Sequence, residues 1–188
     1  MKSISPRFSF LKIFLVLAAA SLLFGWLSIG RPFGTSQLMQ ISGGISPLDM
    51  RITYSPATVF STLTNLGKTG REFYKNWIIL DYINAFFSML FQTAILLFLV
   101  HRLQLESGWR FLCLFPIMKW ISDCAENTIL WVLLSQFPSQ SIIAARISAC
   151  MTFLKWLTLF ITLVSILVLA FTLGRKMLVA HFKNHTTI

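Results

Sequence analysis

Polar side chains interrupt an otherwise apolar stretch between Phe111 and Phe137. They are Lys119, Asp123, Glu126 and Asn127. On an α-helix this spacing places all of them on one face. Two carboxylates about one turn apart, in different surroundings, are the smallest set of groups that could act as a general acid and a general base. The same side chains, paired with a lysine, also form ion pairs that fix which helix faces meet. Both interpretations stay open, with Asp123 and Glu126 as the candidate catalytic residues.

The charged stretch predicts partners on neighbouring helices, because a charged face is costly against lipid. Asp81 and Lys155 lie in two other apolar stretches. With a rise of about 1.5 Å per residue, Asp81, Glu126 and Lys155 reach nearly one level, about 24–30 Å from the cytoplasmic ends of their helices. Asp123 lies about one turn lower. The predicted polar or ligand-binding cluster therefore comprises Asp81, Lys119, Asp123, Glu126, Asn127 and Lys155.

Four long apolar stretches must position these residues. Hydrophobic residues make up 56% of the chain and charged residues 12%, too few to cover a soluble domain with a polar shell. Each stretch has about the length that crosses roughly 30 Å of hydrocarbon. The predicted fold is all-α, a polytopic four-transmembrane-helix bundle in one domain, residues 1–188. The spans are expected at about 10–30, 77–101, 110–136 and 142–173.

The longest connection, residues 31–76, is predicted to be an extended outer loop. Positions 32–47 are rich in glycine and proline and indicate irregular structure. Ser55 followed by Pro56 predicts the start of one short amphipathic helix, ended by Gly67, on the outer face or over the bundle.

Four signals predict where the spanning helices begin, bend and end. Thr69 and Glu72 have capping-box spacing, which predicts a helix start. Pro116 predicts a kink in the third helix. Ser141 and Gly174 are the expected start and end signals of the fourth helix.

The net charge of +10 comes mainly from basic residues at the ends of the spans. They include Lys2, Arg7, Lys12, Arg102, Arg110, Arg175, Lys176 and Lys183. The positive-inside rule predicts cytoplasmic termini and a cytoplasmic middle connection, in the plasma membrane or a bacterial inner membrane, with the endoplasmic reticulum as an alternative. The first apolar stretch is interpreted as a retained anchor, although Ala18–Ala20 also permits a cleaved signal.

The remaining chemistry-bearing residues exclude several functions. No nucleic-acid-binding motif is present, and no nucleic-acid partner is expected. The cysteines form no C-x-x-C motif and are predicted to be buried and inert. All three histidines fall at or beyond the cytoplasmic ends, which excludes histidine catalysis or a histidine-bound haem inside the bundle. No metal or cofactor motif is present, so neither is predicted.

The main functional hypothesis is a non-enzymatic accessory or interaction component whose ion-pair cluster fixes helix packing. Its partners are then the lipid bilayer and other membrane proteins or a second copy of the chain. One alternative is an intramembrane protein that binds or modifies a lipid or sterol-like ligand through Asp123 and Glu126. A second alternative is a small proton-coupled carrier, which with so few helices requires a dimer.

Overall fold

A computed structural model describes the backbone of residues 6–185 and the side chains of residues 12–182. This part of the chain is helical, without strands. Its α-helices are α1 (Pro6–Ile29), α2 (Thr35–Ile41), α3 (Pro56–Asn65), α4 (Gly67–Leu103), α5 (Leu114–Gln136) and α6 (Ile142–His185). Short 3-10 helices cover Leu48–Met50 and Ser107–Cys113. The expected basic residue Lys2 lies outside the described residues, as do the side chains of Arg7 and Lys183.

Helices α1, α4 and α6 are long and apolar enough to cross a membrane. Helix α5 has 23 residues and is about 34 Å long at 1.5 Å per residue, but charged residues divide its apolar sequence. The prediction of an all-helical chain is confirmed. Three potential membrane spans, rather than four, meet the criteria of length and composition among the described residues.

Helix α1 packs along α4 through aromatic contacts. The Trp77 indole donates a hydrogen bond to the Ser28 carbonyl at 2.9 Å. The rings of Phe24 and Phe87 stack with centroids 5.2 Å apart. Helices α4, α5 and α6 contact one another, and α5 makes its most extensive contacts with α6. The bundle therefore places α5, which carries Lys119, Asp123 and Glu126, against both α4 and α6.

The connection between α1 and α4, residues 30–66, folds onto one end of the bundle. Leu38, Leu48 and Val59 are fully buried and belong to the same core as Leu130 of α5 and Ala145 of α6. Residues 32–47 were predicted to be irregular, and this is wrong over Thr35–Ile41, which forms α2. A seven-residue helix is too short to be stable alone, so its burial against the bundle stabilises it.

The turn that precedes α2 requires glycine at position 34. Gly34 donates its N–H to the Gly30 carbonyl at 2.6 Å. A Cβ atom at Gly34 would overlap the same carbonyl oxygen and the carbonyl carbon of Ile29. The tight turn between α1 and α2 therefore depends on a residue without a side chain.

Helix α3 begins where the sequence predicts. The Ser55 hydroxyl accepts a hydrogen bond from the Thr58 N–H at 3.1 Å, and Pro56 occupies the first helical position. Val59 and Leu63 face the bundle core. The predicted short amphipathic helix is thus present and covers one end of the bundle.

One predicted helix start is wrong, and one predicted kink lies nearer its helix start than expected. Helix α4 begins at Gly67 without a side-chain cap, so Thr69 and Glu72 lie inside the helix and not at its start. Helix α5 begins at Leu114, which places Pro116 in the first turn. Proline is tolerated in the first turn of a helix, so the kink expected at Pro116 stays a prediction.

Helix α6 starts as predicted but ends later. The Ser141 hydroxyl accepts a hydrogen bond from the Ala144 N–H at 3.3 Å. The prediction that Gly174 ends the helix is wrong, because α6 continues to His185. One internal glycine costs only about 1 kcal/mol relative to alanine, and the residues that follow, Arg175–Leu178, are good helix formers.

Candidate functional site

Lys155 on α6 is the centre of a buried ion-pair network. Its Nζ atom lies 2.6 Å from Glu126 Oε2 and 3.3 Å from Asp123 Oδ1. It also donates a hydrogen bond to the backbone carbonyl of Asp49 at 3.2 Å. On the other side, Lys119 Nζ lies 2.6 Å from Asp123 Oδ2. Asp123 is therefore held between two lysines, and Lys155 joins α5, α6 and the α1–α4 connection.

The periodicity of α5 explains why these groups meet. Lys119, Asp123, Glu126 and Asn127 share one face, and each is at most 7% exposed. Asn127 donates through Nδ2 to Asp81 Oδ2 on α4 at 2.9 Å, and Asp81 is also buried. The polar face of α5 thus contacts α6 through the ion pairs and α4 through an amide–carboxylate bond.

A group of hydroxyls completes the surroundings of Glu126. Thr152 on α6 lies 2.5 Å from Glu126 Oε1, and the Tyr54 hydroxyl lies 3.4 Å from the same oxygen. Tyr54 also shares hydrogen bonds with Ser148 at 2.6 Å and with Thr152 at 3.1 Å. Burial and the nearby Glu126 carboxylate raise the pKa of Tyr54, which therefore stays a neutral hydroxyl.

Asp49 forms the outermost part of the network. Its Oδ1 atom accepts a hydrogen bond from the Tyr74 hydroxyl at 3.1 Å, and that hydroxyl accepts the Leu48 N–H at 3.0 Å. Burial raises the pKa of Asp49 well above its usual range. Lys155 opposes this shift, whereas the carboxylates of Asp81, Glu126 and Asp123 add to it.

The network contains more acids than bases. Four of the six acidic residues of the whole chain are buried here, against two lysines. With every group ionised, the network would carry two uncompensated negative charges, which is costly in a low-dielectric interior. Asn127 Oδ1, in a fully buried residue, has no hydrogen-bond partner among the described protein atoms. The buried acids therefore outnumber the buried bases by two, and one buried amide oxygen is left without a donor.

The structure brings all the predicted cluster residues together, and the predicted buried charge cluster is confirmed. They are Asp81, Lys119, Asp123, Glu126, Asn127 and Lys155. A catalytic role for Asp123 or Glu126 stays a prediction.

Sequence reasoning missed Asp49 and Tyr54. Both lie in the α1–α4 connection, which was predicted to be an outer loop and contributed no residue to the predicted cluster. Asp49 is the only acidic residue between positions 31 and 66, and this isolated charge was the signal that could have identified it.

Among the described side chains, no three His, Cys, Asp or Glu residues are grouped so that they could hold a metal ion. Cys113 and Cys124 are partly buried, but Cys150 is exposed on α6, so the prediction of buried cysteines is wrong for Cys150.

Comparison of the chain with protein families, curated proteins and solved structures finds no match.

Proposed function

We propose that this chain is a four-span integral membrane protein with cytoplasmic termini and with residues 30–66 on the opposite side. The length of α5 supports a fourth span, since its charged groups all turn inward and leave residues such as Met118 and Ile121 exposed. Arg102, Arg110 and Arg175 cluster toward one side of such a topology, which supports its orientation in a plasma or bacterial inner membrane.

Within this topology we propose a non-enzymatic role, as an accessory or interaction component of a membrane assembly. One observation carries this proposal: the two candidate catalytic carboxylates are already engaged. Glu126 is fully buried between Lys155 and Thr152, and Asp123 is 3% exposed between Lys155 and Lys119. A substrate would have to break these ion pairs before it reached either carboxylate, at a cost of several kcal/mol.

The network then has a specific structural task. It locks α5, α6 and the α1–α4 connection into one arrangement, because Lys155 and Tyr54 each contact groups from more than one of these elements. A fixed arrangement presents the same outer surface to a partner, which is another membrane protein or a second copy of this chain. Interhelical polar contacts fix helix orientation in membranes by the same principle.

The test compares two variants, Glu126→Gln and Glu72→Gln. The carboxylate of Glu72 is exposed on α4, so its replacement serves as the control. Each variant replaces the chromosomal copy, and three quantities are measured: thermal unfolding in detergent, retention of the proteins that copurify with the wild type, and rescue of the deletion phenotype. We expect Glu126→Gln to lose all three together and Glu72→Gln to lose none. A Glu126→Gln protein that stays folded and keeps its partners but fails to rescue would contradict the structural role.

The excess of buried acids favours proton-coupled transport as a second candidate. Asp49 and Asp81 make no ion pair among the described residues, so they are the carboxyls best placed to carry exchangeable protons. A carrier built from so few helices requires two copies. Crosslinking in native membranes tests this requirement, and a purely monomeric product would remove the carrier hypothesis.

A further inference from the structure

A cavity separate from the ion-pair network lies where α4 ends. Its volume is about 540 Å³, and it opens between the last two turns of α4 and the 3-10 helix Ser107–Cys113. The lining residues are Leu97, Val100, His101, Arg102, Gln104, Leu105, Ser107 and Arg110.

The polar part of this cavity is basic. Arg102 and Arg110 both line it, together with His101, and the lining contains no acidic residue. The C-terminal end of a helix repels an anion, but two of the last carbonyl groups of α4 are occupied. The Gln104 N–H donates to the His101 carbonyl and the Leu105 N–H to the Val100 carbonyl, both at 3.1 Å. Two guanidinium groups facing one cavity are suited to a phosphate, which they bind through paired charge-assisted hydrogen bonds.

Part of the lining is apolar. It is formed by Leu97, Val100 and Leu105, and Leu97 remains 43% exposed although it lines the cavity. Leu97 lies one turn before His101, about 6 Å farther along the helix axis at 1.5 Å per residue. A ligand that fills this space therefore has an anionic group at one end and a hydrocarbon part at the other.

We propose that this cavity binds the phosphate head group of an anionic phospholipid, with the start of an acyl chain against Leu97. The proposal relies on the topology proposed above, which places residues 102–110 at the cytoplasmic surface, but not on the non-enzymatic role. Anionic lipids are concentrated in cytoplasmic leaflets, and basic pockets between helices on that side bind their head groups. Free phosphate would make no favourable contact with the apolar residues Leu97, Val100 and Leu105.

The test uses the full-length protein in phosphatidylcholine nanodiscs with increasing fractions of phosphatidylglycerol, and bound lipid is counted by native mass spectrometry. The double variant Arg102→Gln/Arg110→Gln is compared with Arg175→Gln/Lys176→Gln, which removes the same charge from exposed positions on α6. We expect the cavity variant to bind phosphatidylglycerol about 30-fold more weakly, which corresponds to about 1 kcal/mol for the hydrogen bond that each guanidinium makes to the phosphate. The control variant is expected to keep wild-type affinity.

Three results would overturn the assignment. An equal loss in both double variants would mean general attraction of anionic lipid to a basic surface. Inorganic phosphate that displaces phosphatidylglycerol at similar concentration would mean a phosphate site without lipid selectivity. Labelling of Ser107→Cys from outside intact cells, in a chain whose native cysteines are serine, would place the cavity on the wrong side. The Glu126→Gln comparison tests the non-enzymatic role independently of all three.

Discussion

Lys155 donates a hydrogen bond to the backbone carbonyl of Asp49, which lies 106 residues earlier in the chain, at 3.2 Å. The same ammonium group is bound by Glu126 and Asp123 of α5. One side chain on α6 thus joins the centre of the bundle to the connection that covers it. The stability of that connection and the ionisation of the network are consequently linked.

Removal of the central cation should destabilise the whole bundle. Lys155→Met leaves Asp123 and Glu126 buried without their shared partner, and loss of one member of a buried pair typically costs about 3–5 kcal/mol. Unfolding in detergent measures the loss. Arg146→Met, on an exposed position of the same helix, should change stability by less than about 0.5 kcal/mol. Equal effects of the two substitutions would show that the network does not hold the bundle together.

The Tyr54 hydroxyl should control how firmly the α1–α4 connection is attached. Tyr54→Phe removes its hydrogen bonds to Ser148 and Thr152, at a cost of about 1 kcal/mol. We expect faster trypsin cleavage after Arg51, which is exposed in this connection. Tyr82→Phe is the matched control, because its hydroxyl joins α4 to α5 outside the connection. Unchanged cleavage at Arg51 would contradict the proposed attachment.

Asp49 should make stability depend on pH in a defined direction. Because burial raises its pKa in the folded protein, folding favours the protonated acid. Its contribution is therefore fully present below the unfolded pKa, about 3.9, and is lost as pH rises through the higher folded pKa. Asp49→Asn mimics the neutral acid, so its stability relative to wild type should increase from pH 5 to pH 8.

The pH experiment compares differences between variants, so that titration of groups distant from Asp49 cancels. Glu72→Gln, at an exposed carboxylate, is measured in parallel and should track the wild type across this range. A wild-type protein that gains stability over Asp49→Asn as pH rises would show that Asp49 is buried as a favourably bound anion.

The turn between α1 and α2 should tolerate no side chain at Gly34. Gly34→Ala places a Cβ atom against backbone that cannot move freely, so we expect a loss of about 1–3 kcal/mol, typical of overpacking. Gly108→Ala is the control, because a Cβ atom there meets nothing within 4 Å. Thermal unfolding of both variants checks this, and indistinguishable midpoints would contradict the tight turn.

The sequence predicted the helical bundle and the polar face of α5 because both depend on local periodicity. The positions of Asp123 and Glu126 on one face follow from 3.6 residues per turn, and their pairing with Lys155 follows from the cost of charges against lipid. These relations need only helix geometry and the lengths of the apolar stretches.

The α1–α4 connection could not be predicted in the same way. Helix α2 has only seven residues, too few to be stable alone, and it exists because Leu38 is buried against distant residues. The contacts of Asp49 and Tyr54 with α5 and α6 span between 72 and 106 residues of chain. Tertiary packing decides such contacts, and neither spacing nor composition encodes their partners.

The uninterrupted course of α6 has a mechanical consequence. With 44 residues it is about 66 Å long, roughly twice the thickness of a bilayer's hydrocarbon layer. Its far turns, around Met177, stand clear of the other helices with their side chains exposed. The helix that presents these turns is the same continuous element that carries Lys155 and Thr152 into the ion-pair network. A partner that contacted the exposed turns would therefore bind the very element whose ammonium joins the bundle to its covering segment.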